Sequence, residues 1–505
     1  MSIARVYTAQ PGVSKGDIVT IEGDLSRGLF SFSIVGLAGK AVEEAKDRVN
    51  AAIKNSGLPA PKSDNRKIVI SLAPADLKKD GPLFDLPIAI AYLIAARIIK
   101  SELEKVLLIG ELSLDGTLRP VRGILPAVAA AKSAGFTEAI VPFDNKEEAA
   151  LIDGIAVRAA KNLSEVINHI DKSRDTYLEL PIEEPTSIAD DWIETQVCLE
   201  DIKGQESAKR GLLIAAAGLH NVLMAGPPGT GKTMLARAFQ GLLPSLSREE
   251  ALEVLSIHSL ANGITSITSA PPFRTPHHTA SHTSLVGGGT TPRPGEVTLA
   301  HCGVLFMDEF PEFDRRSIDA LRQPLEDKVV TISRVKGSEC FPADFVLVAA
   351  LNPYRGTEDG TTDYAATMMD TYKGKISGPI LDRIDLWLNV PHVDYETLTK
   401  ERQAGGDETR LAREIVMKAR ARQKERLRKF GVKVNSGLSS RQLEESVKLA
   451  PAVKETLRLS AAKLNLSPRA LHRLIKVART IADIEDSDDL LESHLLEALQ
   501  YRVKM

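Results

Sequence analysis

Cysteine is scarce: the 505 residues hold three, Cys198, Cys302 and Cys340, with no CxxC spacing among them. So thin a scatter excludes a disulfide framework and fits a reducing compartment. An excess of either charge is also missing. Lys and Arg number 64 against 67 Asp and Glu, a net charge of −3, so the molecule as a whole does not attract a polyanion. Any contact with nucleic acid must come from a local patch. Long hydrophobic runs are absent too. The most apolar stretch, LPIAIAYLIAA, meets Arg97 and is too short to cross a bilayer. The start, MSIARVYTAQ, lacks the charged-then-apolar pattern of a secretory signal. These absences predict a cytoplasmic protein with no membrane partner.

What is present is ordinary globular composition, 43% hydrophobic and 26% charged, in a chain long enough for two to four domains. Residues 1–170 alternate β-like runs (KIVISLAP, KVLLIGELSL, EAIVP) with helical patterns (AVEEAKDRVNAAIKNSG, ILPAVAAAKSAG). That alternation predicts an α/β domain. The acidic, proline-spaced segment 171–198 reads as a linker. A second α/β domain follows over 199–391, and 392–505 turns wholly helical. No short repeat or low-complexity tract interrupts this order.

The strongest motif is NVLMAGPPGTGKTML, an apolar strand, a glycine-rich turn and a helix start. Its core runs through Gly226, Pro227, Pro228, Gly229, Thr230, Gly231, Lys232 and Thr233. Gly226, Gly229 and Gly231 let backbone N–H groups point inward around phosphate oxygens. Lys232 supplies a charge for the β and γ phosphates of ATP, and Thr233 an oxygen for Mg²⁺. GVLFMDEF then ends an apolar strand in Asp308 and Glu309. Such an Asp holds Mg²⁺ and such a Glu polarises the attacking water, although an isolated acidic pair is as readily a solvated loop. Asn352, past FVLVAALNPY, is placed to orient that water or simply to form an Asn-Pro turn. Arg383, between apolar residues in GPILDRIDLWLNV, is either an arginine finger or a surface ion-pair partner.

Taken in order, these motifs resemble an AAA+ ATPase, and within that class the ComM/YifB family, relatives of the magnesium chelatase ATPase subunit. The matching text includes GQESAKRGLLIAAAGLHNVLMAGPPGTGKT, RTPHHTASHTSLVGG, PRPGEVTLAHCGVLFMDEFPEF, LRQPLEDKVVTISR, KISGPILDRIDL and SPRALHRLIKVARTIAD. The resemblance implies an α/β fold in three parts: an N-terminal Lon-protease-like domain, a central P-loop AAA+ domain with a parallel sheet, and a C-terminal helical lid. It implies that Arg383 reaches a neighbour's nucleotide, that Arg469 is a sensor contacting the γ-phosphate from the lid, and that the chain forms a homo-hexameric ring. Arg469 also reads as a surface arginine at a helix start.

The polar stretch RTPHHTASHTSLVGGGTTPRPGEVTLA, 274–300, is an excursion between the P-loop helix and the Asp308 strand. In chelatase-like relatives the corresponding insertion projects toward the ring's channel. By that resemblance Arg274, His277, His278, Thr283 and Arg293 present donors to a DNA backbone, and Gly287, Gly288 and Gly289 let the chain approach closely. Two other readings compete: a metal site on His278 and His282, disfavoured by Pro276 and the glycines, and a merely structural loop. KARARQKERLRKFGVK, the densest basic run, is a solvated helix face or a further phosphate contact.

Two departures from the resembled pattern matter. In the Lon-like strings, the positions of the nucleophilic Ser and its Lys partner read Leu83 and Leu125, so no dyad exists to attack a carbonyl. After Asn352, where typical members carry paired cysteines with zinc-site spacing, the chain has none, and no zinc is expected. The resemblance implies an ATP- and Mg²⁺-using motor on single-stranded and branched DNA, with helicase-like branch migration in recombination during natural transformation. A chelatase motor subunit and a nucleotide-gated scaffold are the alternatives.

Overall fold

Strand-forming and helix-forming runs alternate through the first 170 residues, and in the computed structural model they build one mixed sheet of seven strands. Their order is Ser31–Val35, Arg66–Ala73, Asp17–Arg27, Ala4–Gln10, Val106–Leu108, Glu138–Pro142 and Ala156–Ala160. Ala4–Gln10, Asp17–Arg27 and Arg66–Ala73 pair antiparallel, and the other pairings are parallel. The structure describes residues 3–502 apart from 14–15, 64, 190–191, 193–196, 265, 290–292, 335–336, 353–375, 400–406 and 465.

Helices Lys40–Asn55 and Ile124–Ser133 arise where the helical patterns predict them, and the most apolar run of the chain forms a further helix, Asp85–Ala95. Asp85–Ala95 is apolar on every side and correspondingly buried from Asp85 through Leu93. Its Asp85, at the helix start, is held by two bonds from Arg48, 2.7 and 2.9 Å, because a buried carboxylate needs a partner. Leu83 and Leu125, the positions where a Ser–Lys dyad would stand, are apolar side chains buried in the fold.

The chain divides into two compact units: Met1–Ala189 with Ala251–Thr268, and Asp190–Glu250 with Ser269–Met505. Most of the helix Arg248–Ala261 therefore belongs to the first unit. There Ser259 Oγ donates to the Glu148 carboxylate, and the Gly123 N–H donates to Ser259 Oγ at 3.0 Å. Burial pushes the Glu148 carboxyl above its ordinary range, against the hydrogen bonds it accepts.

The second unit is built on five parallel strands ordered Phe273–Arg274, Val304–Met307, Val346–Leu351, Val222–Ala225 and Leu386–Asn389. Parallel strands covered on both faces read as unbroken apolar runs, and VLMA, VLFM and VLVAAL are buried at every residue. Helices Glu206–Gly218, Lys232–Leu242, Glu408–Leu427 and Pro468–Ile484 complete the core through Leu212, Phe239, Val416, Leu474 and Ile481. The mixed α/β class, the parallel sheet and the helical C-terminal region all stand as the sequence predicts.

Much of the basic run lies in Glu408–Leu427 and is engaged inside the fold. Arg420 donates to Ala216 O at 3.0 and 2.7 Å, and Arg426 grips Asp483 at 2.6 and 2.7 Å. Arg422 pairs with Asp486 and Asp488. Among the described residues no helix is long and apolar enough to cross a membrane.

Candidate nucleotide site

Strand Val222–Ala225 runs directly into Gly226, and Lys232 opens the helix that follows. The three loop glycines have different reasons to be there. Gly229 and Gly231 sit at φ 78° and 91°, the left-handed region that L side chains avoid, with open space around them. At Gly226 the constraint is contact, since a Cβ would lie 2.0 Å from Val390 O. Lys232 is 6% exposed and donates to Gly226 O and Pro227 O, both at 2.7 Å. Burial lowers its pKa, and the Asp308 charge opposes that shift. Thr230 Oγ1 donates to Pro227 O at 3.0 Å, and Gln205 Nε2 reaches Pro391 O at 2.8 Å. Gln205 is a support that the motif alone did not single out.

Asp308 and Glu309 follow the strand Val304–Met307. Thr233 Oγ1 donates to Asp308 Oδ2 at 3.1 Å. The two oxygens expected to share Mg²⁺ therefore face one another, a hard-oxygen pair of the kind that cation takes. Glu309 adopts φ 49°, uncommon for a non-glycine residue, and its N–H donates to Asp308 Oδ1 at 2.9 Å. Its carboxylate meets the His278 ring, Oε2 to Nδ1 3.2 Å. Asn352 comes just after Val346–Leu351, the strand lying between Val304–Met307 and Val222–Ala225. Three adjacent strands thus deliver the glycine loop, the acidic pair and Asn352 at their carboxyl ends, where ligands of open α/β sheets bind.

Arg383 and Arg469 converge on one carboxylate. Arg383 is 4% exposed, donating through Nη2 to Glu326 and through Nη1 to Pro379 O. Arg469 Nη2 donates to Glu326 Oε1 at 2.8 Å. The Arg383 bond, with the charges of Arg383 and Arg469, holds the Glu326 carboxyl below its usual range. Glu326 lies in LRQPLEDKVV, among the strings that carried the resemblance, yet nothing local indicated its partners.

In the stretch 274–300 the five suggested DNA donors divide. Arg274 is paired with Glu296 at 2.7 and 2.9 Å, and half-buried His278 with Glu309. His277, Thr283 and Arg293 are exposed. The His277 ring lies 4.2 Å from that of His278 and its Nδ1 is 2.8 Å from Thr279 Oγ1. Thr283 is in the short helix His282–Val286, capped by Ser281. Arg293 lies on a two-residue strand paired with Gly287–Gly288. His278 precedes that helix, so it and His282 do not share a helical face. No cluster of three His, Cys, Asp or Glu suited to a metal occurs among the described residues. Residues 353–375, where the family's paired cysteines are missing, lie outside the described residues.

Family descriptions match in three blocks: "Magnesium chelatase, subunit ChlI" over residues 198–398, "Subunit ChlI of Mg-chelatase" over 21–145, and "Magnesium chelatase, subunit ChlI C-terminal" over 406–502. The chain is 42% identical to "Competence protein ComM" of Haemophilus influenzae, covering 99% of this chain and 98% of that one. It is 43% identical to "Uncharacterized protein YifB" of Escherichia coli, covering 99% and 97%. Against "Uncharacterized protein Rv2897c" of Mycobacterium tuberculosis the identity is 39%, covering 99% of each.

Proposed function

The chain belongs to the ComM/YifB family of magnesium-chelatase-like AAA+ proteins, and from that premise we propose that it is a cytoplasmic, hexameric ATPase motor that moves on DNA. Its work in this reading is branch migration of recombining strands, in keeping with the competence role in a relative's name.

In hydrolysis the backbone N–H groups of Gly229 and Gly231 and the Lys232 ammonium cradle the phosphates. Thr233 and Asp308 would hold Mg²⁺, which neutralises charge on the β and γ oxygens when bound. Glu309 accepts a proton from the attacking water while Asn352 orients it. Arg383 of the adjacent copy meets the charge that builds on the departing phosphate, with Arg469 beside it. His277, Thr283 and Arg293 offer donors to the DNA backbone.

The observation that carries this reading is the His278–Glu309 pair, 3.2 Å. In this reading it joins the stretch proposed to meet DNA to the carboxylate proposed to activate water, so occupancy of one is felt at the other. The test is ATP turnover with and without single-stranded and forked DNA, for the native chain and Lys232→Ala. Stimulation by DNA, loss of all turnover in the variant and migration of a labelled three-strand junction support the proposal. Turnover that ignores every DNA yet rises with a chelatase partner subunit overturns it.

A further inference from the structure

Among the described residues Glu326 is the acidic group on which both Arg383 and Arg469 close, its two oxygens each taken by a different guanidinium. Two guanidinium groups converging on an acidic centre form a receptor for an anion with several oxygens, such as a terminal phosphate. In the isolated chain that receptor is filled from within.

We infer that Glu326 is an internal stand-in for the triphosphate of a neighbouring copy, occupying the anion seat that Arg383 and Arg469 form until that phosphate displaces it. This rests on the reading of the protein as an ATPase completed between subunits and names how that shared site is regulated.

Two features separate Glu326 from a merely structural partner. The first is access. Its side chain is 50% exposed and that of Arg469 61%, so an incoming phosphate can compete at Arg469 first and meet the buried Arg383 as Glu326 leaves. The neighbouring Arg473–Asp385 pair is the contrast: 2.6 Å long, with the Asp385 side chain 8% exposed, it is a fixed tie. The second is linkage. Arg473 lies one turn beyond Arg469 on Pro468–Ile484, and Asp385 two residues beyond Arg383. The fixed tie therefore holds the two arginines in step whether or not Glu326 is bound. Displacing the plug need not scatter them.

Since the plug competes with phosphate, removing its charge should favour the nucleotide. Steady-state ATPase of Glu326→Gln, measured against ATP and against protein concentration, is expected to show a KM for ATP lowered roughly three- to fivefold, the scale of a partly exposed ion pair. Half-maximal turnover should come at correspondingly lower protein concentration. Glu326→Asp, keeping the charge, should stay near the native values. Arg383→Ala serves as the control, with turnover expected to collapse. If Arg383→Ala falls while Glu326→Gln keeps its KM or loses turnover, Glu326 is no plug and this inference alone fails. If Arg383→Ala leaves turnover intact, the reading of a site shared between subunits fails first. Glu326→Ala repeats the test should the Gln variant misfold.

Discussion

At the scale of single residues, the role proposed for Glu309 turns on the interactions that hold it. A left-handed backbone and a bond to Asp308 fix the residue, while His278 engages one of its oxygens. An oxygen already occupied by an imidazole is not open to an attacking water, so His278→Ala should raise DNA-free turnover by about two- to fivefold, the scale of a partly exposed pair. It should also shrink the further gain on adding DNA. Steady-state rates with and without forked DNA check both; an unchanged stimulation ratio would mean that the histidine does not couple the two. Lys232, Thr233 and Asp308 were legible in the sequence because fixed spacing and flanking strands dictate their geometry. The partners of Glu326 were not. They lie 57 and 143 residues away, and no local pattern encodes a meeting over such separations.

At the scale of elements, apolar runs gave away the strands because both faces of a parallel sheet are buried. Charge gave less. The basic run KARARQKERLRKFGVK read as a solvated helix face or a phosphate contact, but its Arg420, Arg422 and Arg426 are held by carbonyl and carboxylate groups of other helices and turns. The strand Leu386–Asn389 is anchored at its start by Asp385, which accepts from Arg473 and from the Asn221 N–H. Burial alone would raise the Asp385 carboxyl, but Arg473 and His220 overcome it and hold the pKa far below the usual range. A depressed carboxylate contributes stability that is present above its unfolded pKa of about 4 and lost as pH falls through its folded value. Asp385→Asn should therefore cost about 3 kcal/mol near neutrality, the low end for breaking a buried pair. That deficit should shrink as the medium is acidified below about pH 4. Denaturant unfolding at neutral and acid pH measures it, and a cost that does not vary with pH would reject the assignment.

At the scale of the molecule, two findings were beyond the reach of sequence periodicity. Residues 251–268 pack with the first unit although they lie within the ATPase stretch of the chain, because Ser259 and Glu148 meet across 111 residues. Arg383 and Arg469 come to a common point although one precedes a sheet strand and the other opens a C-terminal helix. The second of these bears on the central claim, that one copy completes its neighbour's site. In the proposed ring, heterologous contacts would place each copy's arginines at a different copy's phosphate. The most direct test mixes two individually inactive variants, Arg383→Ala and Glu309→Gln. In a mixed ring roughly a quarter of the interfaces join an intact Glu309 to an intact Arg383 from the next copy. Turnover should reappear on mixing at about that fraction of the native rate; a mixture no more active than its two components would mean that each copy's site is complete without its neighbour.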